Sequence, residues 1–488
     1  MYNPKTSLEI VQAILDLKNT YQQNDDDNFL EVSEFETRSI QLRPIHLLKI
    51  GKGSSEDRRA IFIVAGIHGD EIMNPDLLLH FATKLCEAYA TQSDLQFGTK
   101  TYSRWMVKIL VEQMDIFLLP LANPDAREKY FEDPPIKNWR KNLRDNQGSC
   151  FGVDVNRNFD FLWGFDIDKD GGIQADNPCW KSFRGTEAGS EPETKNIEEV
   201  FEKNDHISCY IDIHSYGQVI LMPWGDDEIQ TENASMNFMN LEGPGGEPGL
   251  PDDGYAEYMP EEDRKSFVAL ANQMIEAIAE LRGTPYTLKT SFDSGPKVGT
   301  SKDWAYARHF MNPAARKVFG LTLETGDDFV TEDALSVIDE VCCGLIKASS
   351  FCLCTLEFAT GNESRVPDLE PLRQFRDREL MNSDAGSRYV ERLGKHTLEL
   401  MAILEADPDL RAESPRWIEK ATELLTGSSR DQRIEDQTVA EVKTFMRKVQ
   451  ENAEPALAEA IEHLTMELDG VAGLSVAEAL RKALGKRP

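Results

Sequence analysis

The run of six apolar residues at positions 60–65, "AIFIVA", is the feature that most constrains the fold. Successive side chains of a strand point to opposite faces, so a run that is apolar throughout predicts a strand buried on both faces. Such strands lie at the centre of parallel sheets that helices cover. Gly66 ends the run, and His68 and Glu71 follow at its exit.

The rest of the chain divides into two parts by composition. From residue 1 to about residue 358, strand-like and helix-like segments alternate, which predicts an α/β domain. Residues 359–372 ("ATGNESRVPDLEPL") have the composition of a linker, and helix-forming residues dominate after it. We therefore predict a separate helical appendage at residues 373–488, in which no catalytic set of residues is visible.

Charge and hydropathy narrow the range of partners. The formal net charge of −32 argues against nucleic acid or an anionic membrane as a general partner. No apolar run approaches the length of a membrane-spanning helix. The first residues, "MYNPKTSLEIVQAILDLKNTY", show neither a basic leader nor an apolar segment of a signal peptide, so the sequence predicts a cytoplasmic protein.

Position selects two of the eight histidines as candidate metal ligands. His68 and His214 each lie at the end of an apolar strand-like segment, where functional residues of α/β sheets gather. With Glu71 they would form a His–Glu–His set, the ligands of a catalytic zinc ion that keeps one position open for water. Taken alone, an H-x-x-E sequence is more often a surface turn with two polar residues.

The chemistry of such a zinc site also needs a base and groups that bind the substrate. Glu324, in "VFGLTLETG", is a carboxylate at a strand end that could take a proton from water, although a paired surface glutamate is the simpler interpretation. Arg140 in "NWRKN" and the Asn156-Arg157 pair in "GVDVNRNFDFLWG" offer groups that bind carboxylates or an oxyanion.

In their order along the chain, these motifs resemble the zinc carboxypeptidases of the carboxypeptidase A type, the M14 metallopeptidase family. The resemblance extends to about residue 358 through "GIHGDE", "NPDAREKY", "WRKN", "FRGTEAGSEPET", "YIDIHSYGQVILMPWG", "GTSKDWAY" and "LTLETG". It implies a mixed, mostly parallel central sheet flanked by helices and one zinc ion per chain. It also implies roles for seven residues: His68, Glu71 and His214 as zinc ligands, Glu324 as general base, Arg140 at the oxyanion, and Asn156 and Arg157 at the terminal carboxylate of the substrate.

Three positions depart from the family pattern. Asp70 stands where many members have an arginine, and the mobile tyrosine that precedes the "S-x-D-W" segment has no counterpart, Phe292 being the nearest ring. Both departures affect binding of a free C-terminus. Lys302 occupies the position that lines the pocket for the last side chain of the substrate, so Coulomb attraction predicts acidic C-terminal residues. The alternative is a lysine that turns to solvent.

Two further features concern cysteines and calcium. By the same resemblance, Cys150 and Cys179 match a disulfide of secreted relatives, which the apparent lack of a signal peptide opposes. The segment "DIDKDGG" at residues 166–172 begins like a calcium loop, but Asn177 stands where an EF-hand needs glutamate. A Ca²⁺ site therefore has little support.

The leading hypothesis is a zinc-dependent metallocarboxypeptidase that removes C-terminal residues from peptides or proteins, with a preference for acidic ones. A second hypothesis keeps the zinc and changes the substrate, as in deacylases of N-acyl amino acids and peptidases of cell-wall peptides, which share the ligand set. A third is a binding protein that has lost activity, with the helical appendage binding an unknown partner.

Overall fold

The computed structural model of the chain describes residues 2–23, 27–53, 58–148, 150–165, 175–240, 254–353, 355–360, 369–380, 383–425 and 430–485. They form two compact units, of which the first comprises residues 1–102 and 111–352 and the second residues 103–110 and 353–488. The predicted domain boundary at residue 358 lies within the second unit. Most of the predicted linker, residues 361–368, lies outside the described residues.

The first unit alternates strands and helices. Its strands are β1 (Leu30–Glu34), β2 (His46–Ile50), β3 (Arg59–Ala65), β4 (Leu95–Phe97), β5 (Lys100–Tyr102), β6 (Met114–Leu119), β7 (Ile207–Ser215), β8 (Val219–Met222), β9 (Gln230–Thr231), β10 (Glu257–Tyr258), β11 (Thr287–Thr290) and β12 (Phe319–Thr325). Its helices are α1 (Ser7–Tyr21), α2 (Asn74–Thr91), α3 (Arg104–Gln113), which begins in the second unit, α4 (Pro124–Lys129), α5 (Pro192–Lys203), α6 (Glu261–Arg282), α7 (Ser301–Met311) and α8 (Ala334–Phe351).

Eight of these strands form one mixed sheet in the order β1-β2-β6-β3-β7-β12-β8-β11. The four central strands β6, β3, β7 and β12 run parallel to one another. The pairs of β2 with β6 and of β8 with β12 are antiparallel. Helices α2 and α8 pack on β3, and α7 packs on β7 and β12. The predicted sheet and its flanking helices are confirmed.

The central strands have the burial that the sequence predicts. Every residue of β6 is buried, as are all residues of β3 except Arg59. Because both faces of these strands are covered, apolar side chains are needed on each face. This packing fixes the carboxyl ends of β3 and β7 beside each other, since the two strands are parallel neighbours in the sheet.

Two disulfides occur in the first unit. Cys150 and Cys179 are bonded, as the family resemblance implies. A second disulfide joins Cys209 of β7 to Cys352 just after α8, which the sequence did not predict. Cys86, Cys342 and Cys343 are buried free thiols.

The second unit is helical. It contains α9 (Thr355–Thr360), α10 (Glu370–Phe375), a π-helical turn (Arg376–Leu380), α11 (Asp384–Lys395), α12 (Thr397–Ala406), α13 (Pro408–Leu425), α14 (Asp436–Gln450), α15 (Pro455–Glu467) and α16 (Val476–Ala483). Its core includes Leu398, Met401, Leu410 and Ile461, which are each less than a tenth exposed. Among the helices that the structure describes in either unit, none is long and apolar enough to cross a membrane.

Candidate active site

The turn between β3 and α2 positions His68 and Glu71. Gly66 has a φ of +69°, which favours glycine, and a Cβ at this position would lie 2.9 Å from Cγ of Pro75. Gly69 packs so tightly that a Cβ there would lie 2.5 Å from the backbone of Ala126. These two glycines let the chain turn directly at the strand end, and His68 and Glu71 are buried there.

His214 reaches the same point from the end of β7. Its Nδ1 atom lies 3.0 Å from Nδ1 of His68 and 2.9 Å from Oε2 of Glu71. Oε1 of Glu71 lies 2.7 Å from Nδ1 of His68. One ligand atom from each residue lies within 4.8 Å of the others, so the structure brings the three predicted ligands together. Two imidazole nitrogens and a carboxylate oxygen are a donor set that suits zinc.

Two buried aspartates bind the outer nitrogens of these histidines. Asp154 Oδ1 lies 3.1 Å from Nε2 of His68, and Asp212 Oδ2 lies 2.7 Å from Nε2 of His214. Each carboxylate holds a proton on the outer nitrogen and leaves Nδ1 free to bind a metal. Neither aspartate was predicted from the sequence, although Asp212 lies two residues before His214 and therefore on the same face of β7.

Arg140 lies next to the ligands. Its Nε donates a hydrogen bond of 2.9 Å to Oδ2 of Asp154, and its Nη1 is 3.7 Å from Oε1 of Glu71. Burial opposes the charged form, but both carboxylates outweigh it and raise the pKa of Arg140 above its usual value. The guanidinium therefore stays charged, and because its side chain is 24% exposed it can contact a substrate.

Asn156 and Arg157, the two residues predicted to bind the terminal carboxylate of the substrate, differ in how far their hydrogen-bonding groups are already used within the protein. The Asn156 amide is used within the protein, because Nδ2 donates to Asp212 Oδ2 at 3.1 Å and Oδ1 accepts from the Ser301 N–H at 2.8 Å. Arg157 is half-buried, and its Nη1 donates to the Asn156 carbonyl at 2.6 Å. Burial lowers the pKa of Arg157. Among the described residues, the Arg157 guanidinium keeps donors for an anion beyond the one that binds the Asn156 carbonyl.

Glu324 lies on β12 directly opposite His214 in the parallel register with β7. It is half-buried. Burial raises the pKa of Glu324, and repulsion from Glu71 adds to this effect while His214 opposes it. A carboxyl group with a raised pKa beside the candidate metal ligands has the properties of a general base.

Lys302, the second residue of α7, does not turn to solvent. It is 1% exposed, and its ammonium lies 2.5 Å from Oδ1 of Asp303. Burial lowers the pKa of Lys302 and Asp303 opposes that shift. The ammonium therefore has an acidic partner within the protein, and a substrate carboxylate is not needed to neutralise it.

The two remaining departures and the calcium prediction have separate outcomes. Asp70 is buried, and burial followed by repulsion from Glu71 raises its pKa. Phe292 lies half-buried in a short 3₁₀ turn and offers no donor. Residues 166–174, which contain the predicted calcium loop, lie outside the described residues.

The comparisons with known proteins agree on one family. The sequence model described as zinc carboxypeptidase matches residues 20–340. Mouse carboxypeptidase A4 is 29% identical over 270 residues, which are 55% of this chain and 52% of that protein. Bovine carboxypeptidase O is 28% identical over 301 residues, 61% of this chain and 65% of that protein. The chain thus spans between half and two thirds of the length of these two relatives.

The fold is also found in a solved structure. Bovine thrombin-activatable fibrinolysis inhibitor, in complex with tick carboxypeptidase inhibitor, superposes with a TM-score of 0.53 at 21% identity. The superposition covers 71% of this chain and 97% of that chain. Since the family's sequence model matches well over half of the residues, the chain belongs to the zinc carboxypeptidase family.

Proposed function

We propose that this protein is a zinc-dependent carboxypeptidase that hydrolyses the C-terminal bond of peptides or proteins. The observation that carries the proposal is the meeting of His68, Glu71 and His214 at the ends of β3 and β7, with Glu324 in register with His214. Family membership supports zinc as the metal, and the three ligand atoms provide for one ion per chain.

A bound zinc ion would polarise the scissile carbonyl and acidify a water molecule. Glu324 accepts the proton of the attacking water and delivers it to the leaving amine. Asp154 and Asp212 keep the two histidines in the tautomer that leaves Nδ1 free.

The guanidinium groups have separate tasks in this proposal. Arg140 donates to the oxygen that becomes negative as the carbonyl is attacked, because it lies beside Glu71 and is partly exposed. Arg157 binds the terminal carboxylate of the substrate with the donors that its own contacts leave over. Asn156 forms hydrogen bonds with both Arg157 and Asp212. To bind substrate as well, its side-chain amide has to break one of its hydrogen bonds within the protein.

We also propose a preference for acidic C-terminal residues. Lys302 contributes less to it than a free ammonium would, because Asp303 already compensates its charge. A screened interaction of Lys302 with a substrate carboxylate should change relative rates by less than about tenfold.

The deacylase and cell-wall peptidase hypotheses share the ligand set with the carboxypeptidase. The substrates that the protein cleaves therefore decide among the three functions.

The two disulfides bear on where the protein works. Disulfides persist in oxidising compartments and are rare in the cytosol. Cys150–Cys179 and Cys209–Cys352 therefore favour an oxidising compartment over the cytoplasmic location that the sequence predicted. We propose that the protein folds and acts there.

Digestion of a peptide library, read by mass spectrometry, tests the proposed reaction. The zinc-loaded protein should release single residues from C-termini, and the Glu324→Gln variant should not. Exposed Glu332 provides a matched control, since Glu332→Gln should cleave like the original protein. Release of acyl groups from N-acyl amino acids without peptide cleavage would favour the deacylase hypothesis. Full activity of Glu324→Gln would contradict the proposal.

A further inference from the structure

Lys297 lies beside the Lys302–Asp303 pair, in the segment between the 3₁₀ turn Phe292–Ser294 and α7. Its N–H donates to the Gly225 carbonyl at 2.7 Å. A Cβ at Gly225 would lie 2.9 Å from both Cγ of Lys297 and Oδ2 of Asp303. The stem of Lys297 and the Asp303 carboxylate thus flank the same glycine, which lies shortly after β8.

The ammonium of Lys297 is held by neutral acceptors. Nζ donates to the Ser291 carbonyl at 2.6 Å and to Oγ of Ser294 at 2.7 Å, which uses two of its three hydrogens. Within the part of the chain that the structure describes, no carboxylate pairs with this ammonium. Lys297 is half-buried, so its charge lacks full hydration as well.

Two cations, Arg157 and Lys302, and two carboxylates, Asp303 and Glu324, act electrostatically on Lys297. Burial lowers its pKa to about 7, with further contributions from Arg157 and Lys302, while Asp303 and Glu324 oppose the shift. The same segment packs against the candidate site, because a Cβ at Gly299, two residues after Lys297, would clash with the carbonyl oxygen of Arg157. Asp303 already pairs with Lys302, and a bound anion would relieve the repulsion that Arg157 and Lys302 exert on Lys297.

We propose that Lys297 is a specificity-determining residue that binds a carboxylate of the substrate's C-terminal residue, an inference that rests on the proposed carboxypeptidase function. Lys297 suits this task better than Lys302, whose charge Asp303 already balances. It also supplies a donor in the segment where the family tyrosine is missing and Phe292 offers none. The C-terminal residue of a substrate offers two such carboxylates: its terminal carboxylate and, in glutamate or aspartate, its side chain.

Steady-state kinetics of Lys297→Met on matched peptides ending in Glu or Gln separates the two groups. Methionine keeps most of the stem and removes the charge. If Lys297 binds the side chain, kcat/KM should fall about tenfold to a hundredfold for the Glu peptide and little for the Gln peptide. If Lys297 binds the terminal carboxylate, both values should fall by the same factor. Unchanged values for both peptides would overturn the proposal.

Two further variants control for folding and for general charge effects. Lys297→Arg keeps the cation and should recover part of the lost activity, whereas a merely structural effect of the methionine would give no such recovery. Lys289 is an exposed lysine on β11, and Lys289→Met should leave both kcat/KM values unchanged.

A binding measurement keeps this inference distinct from the proposed reaction. Calorimetry of the Glu-ending peptide with zinc-loaded Glu324→Gln protein reports binding without hydrolysis. Adding Lys297→Met should weaken binding about tenfold or more. If the original protein cleaves no peptide but this loss is seen, the proposed reaction fails and the anion site stands. If it cleaves peptides and neither binding nor kinetics responds to Lys297→Met, the inference about Lys297 alone is wrong.

Discussion

The Nδ1 atoms of His68 and His214 face each other at 3.0 Å, and the two oxygens of Glu71 lie 2.7 and 2.9 Å from them. This arrangement follows from the sheet, because β3 and β7 are parallel neighbours whose carboxyl ends meet. The outer nitrogen of each ring faces an aspartate. The inner nitrogens are therefore the ones available to a metal.

Replacing His68 should remove the stabilisation that zinc provides. Zinc at one hundred times its Kd adds about 2.7 kcal/mol to the free energy of unfolding of a protein that binds it only when folded. His68→Ala leaves two protein ligands, so this gain should vanish. Thermal unfolding with and without zinc, together with metal analysis after dialysis, measures it. An equal zinc-induced rise in Tm for the original protein and His68→Ala would contradict the assignment of this ligand.

Asp212 should affect the affinity for zinc without touching the metal. Asp212→Asn keeps the size of the side chain but weakens the acceptor that orients His214, which typically costs about tenfold to a hundredfold in metal affinity. Competition with a chromophoric chelator measures this affinity directly. Exposed Asp205, just before β7, is the matched control, and Asp205→Asn should bind zinc like the original protein. Equal affinities for all three proteins would show that Asp212 does not position His214.

Glu324 should control both the rate and its pH dependence. Loss of a general base typically lowers the rate by about 10² to 10⁴, so Glu324→Gln should lose activity in this range while it retains zinc. A base must be ionised to act. Burial raises the pKa of Glu324, whereas the positive charge of a bound zinc ion would favour its ionised form. Activity should therefore rise as the pH increases through the pKa that Glu324 has in the zinc-loaded protein.

The profile of kcat/KM against pH for original and variant proteins checks this prediction, and Glu332→Gln should keep the original profile. An unchanged acid-side fall in Glu324→Gln, with the same maximal rate, would exclude Glu324 as the base.

The sequence predicts best what depends on strand ends. A run of apolar residues places β3 at the centre of the sheet. The residues that directly follow β3 must then lie at the carboxyl edge of the sheet. Hence the positions of His68 and His214 at the ends of apolar segments suffice to select them among eight histidines. The lateral neighbour of a strand cannot be read from one sequence, so the pairing of β3 with β7 is known only from the structure.

The hydrogen-bond and ion-pair partners of individual side chains could not be predicted from the sequence. The pairing of Lys302 with Asp303 depends on the direction of two side chains in the first turn of α7. The proximity of Lys297 to Gly225 depends on the path of a loop. Spacing along the chain specifies neither of these. For that reason the sequence left open whether Lys302 meets a substrate carboxylate or turns to solvent, and it indicated neither the Asp303 partner nor Lys297.

The Cys150–Cys179 disulfide should contribute measurably to stability. It joins residues 29 apart in sequence, and closing a loop of that length in the unfolded chain corresponds to about 3 to 4 kcal/mol. The double variant Cys150→Ser/Cys179→Ser should therefore unfold at a lower urea concentration than the original protein under non-reducing conditions. After reduction both proteins lack this bond, and their midpoints should become nearly equal. Coincident midpoints already under non-reducing conditions would show that the bond between Cys150 and Cys179 adds nothing to the stability of the first unit.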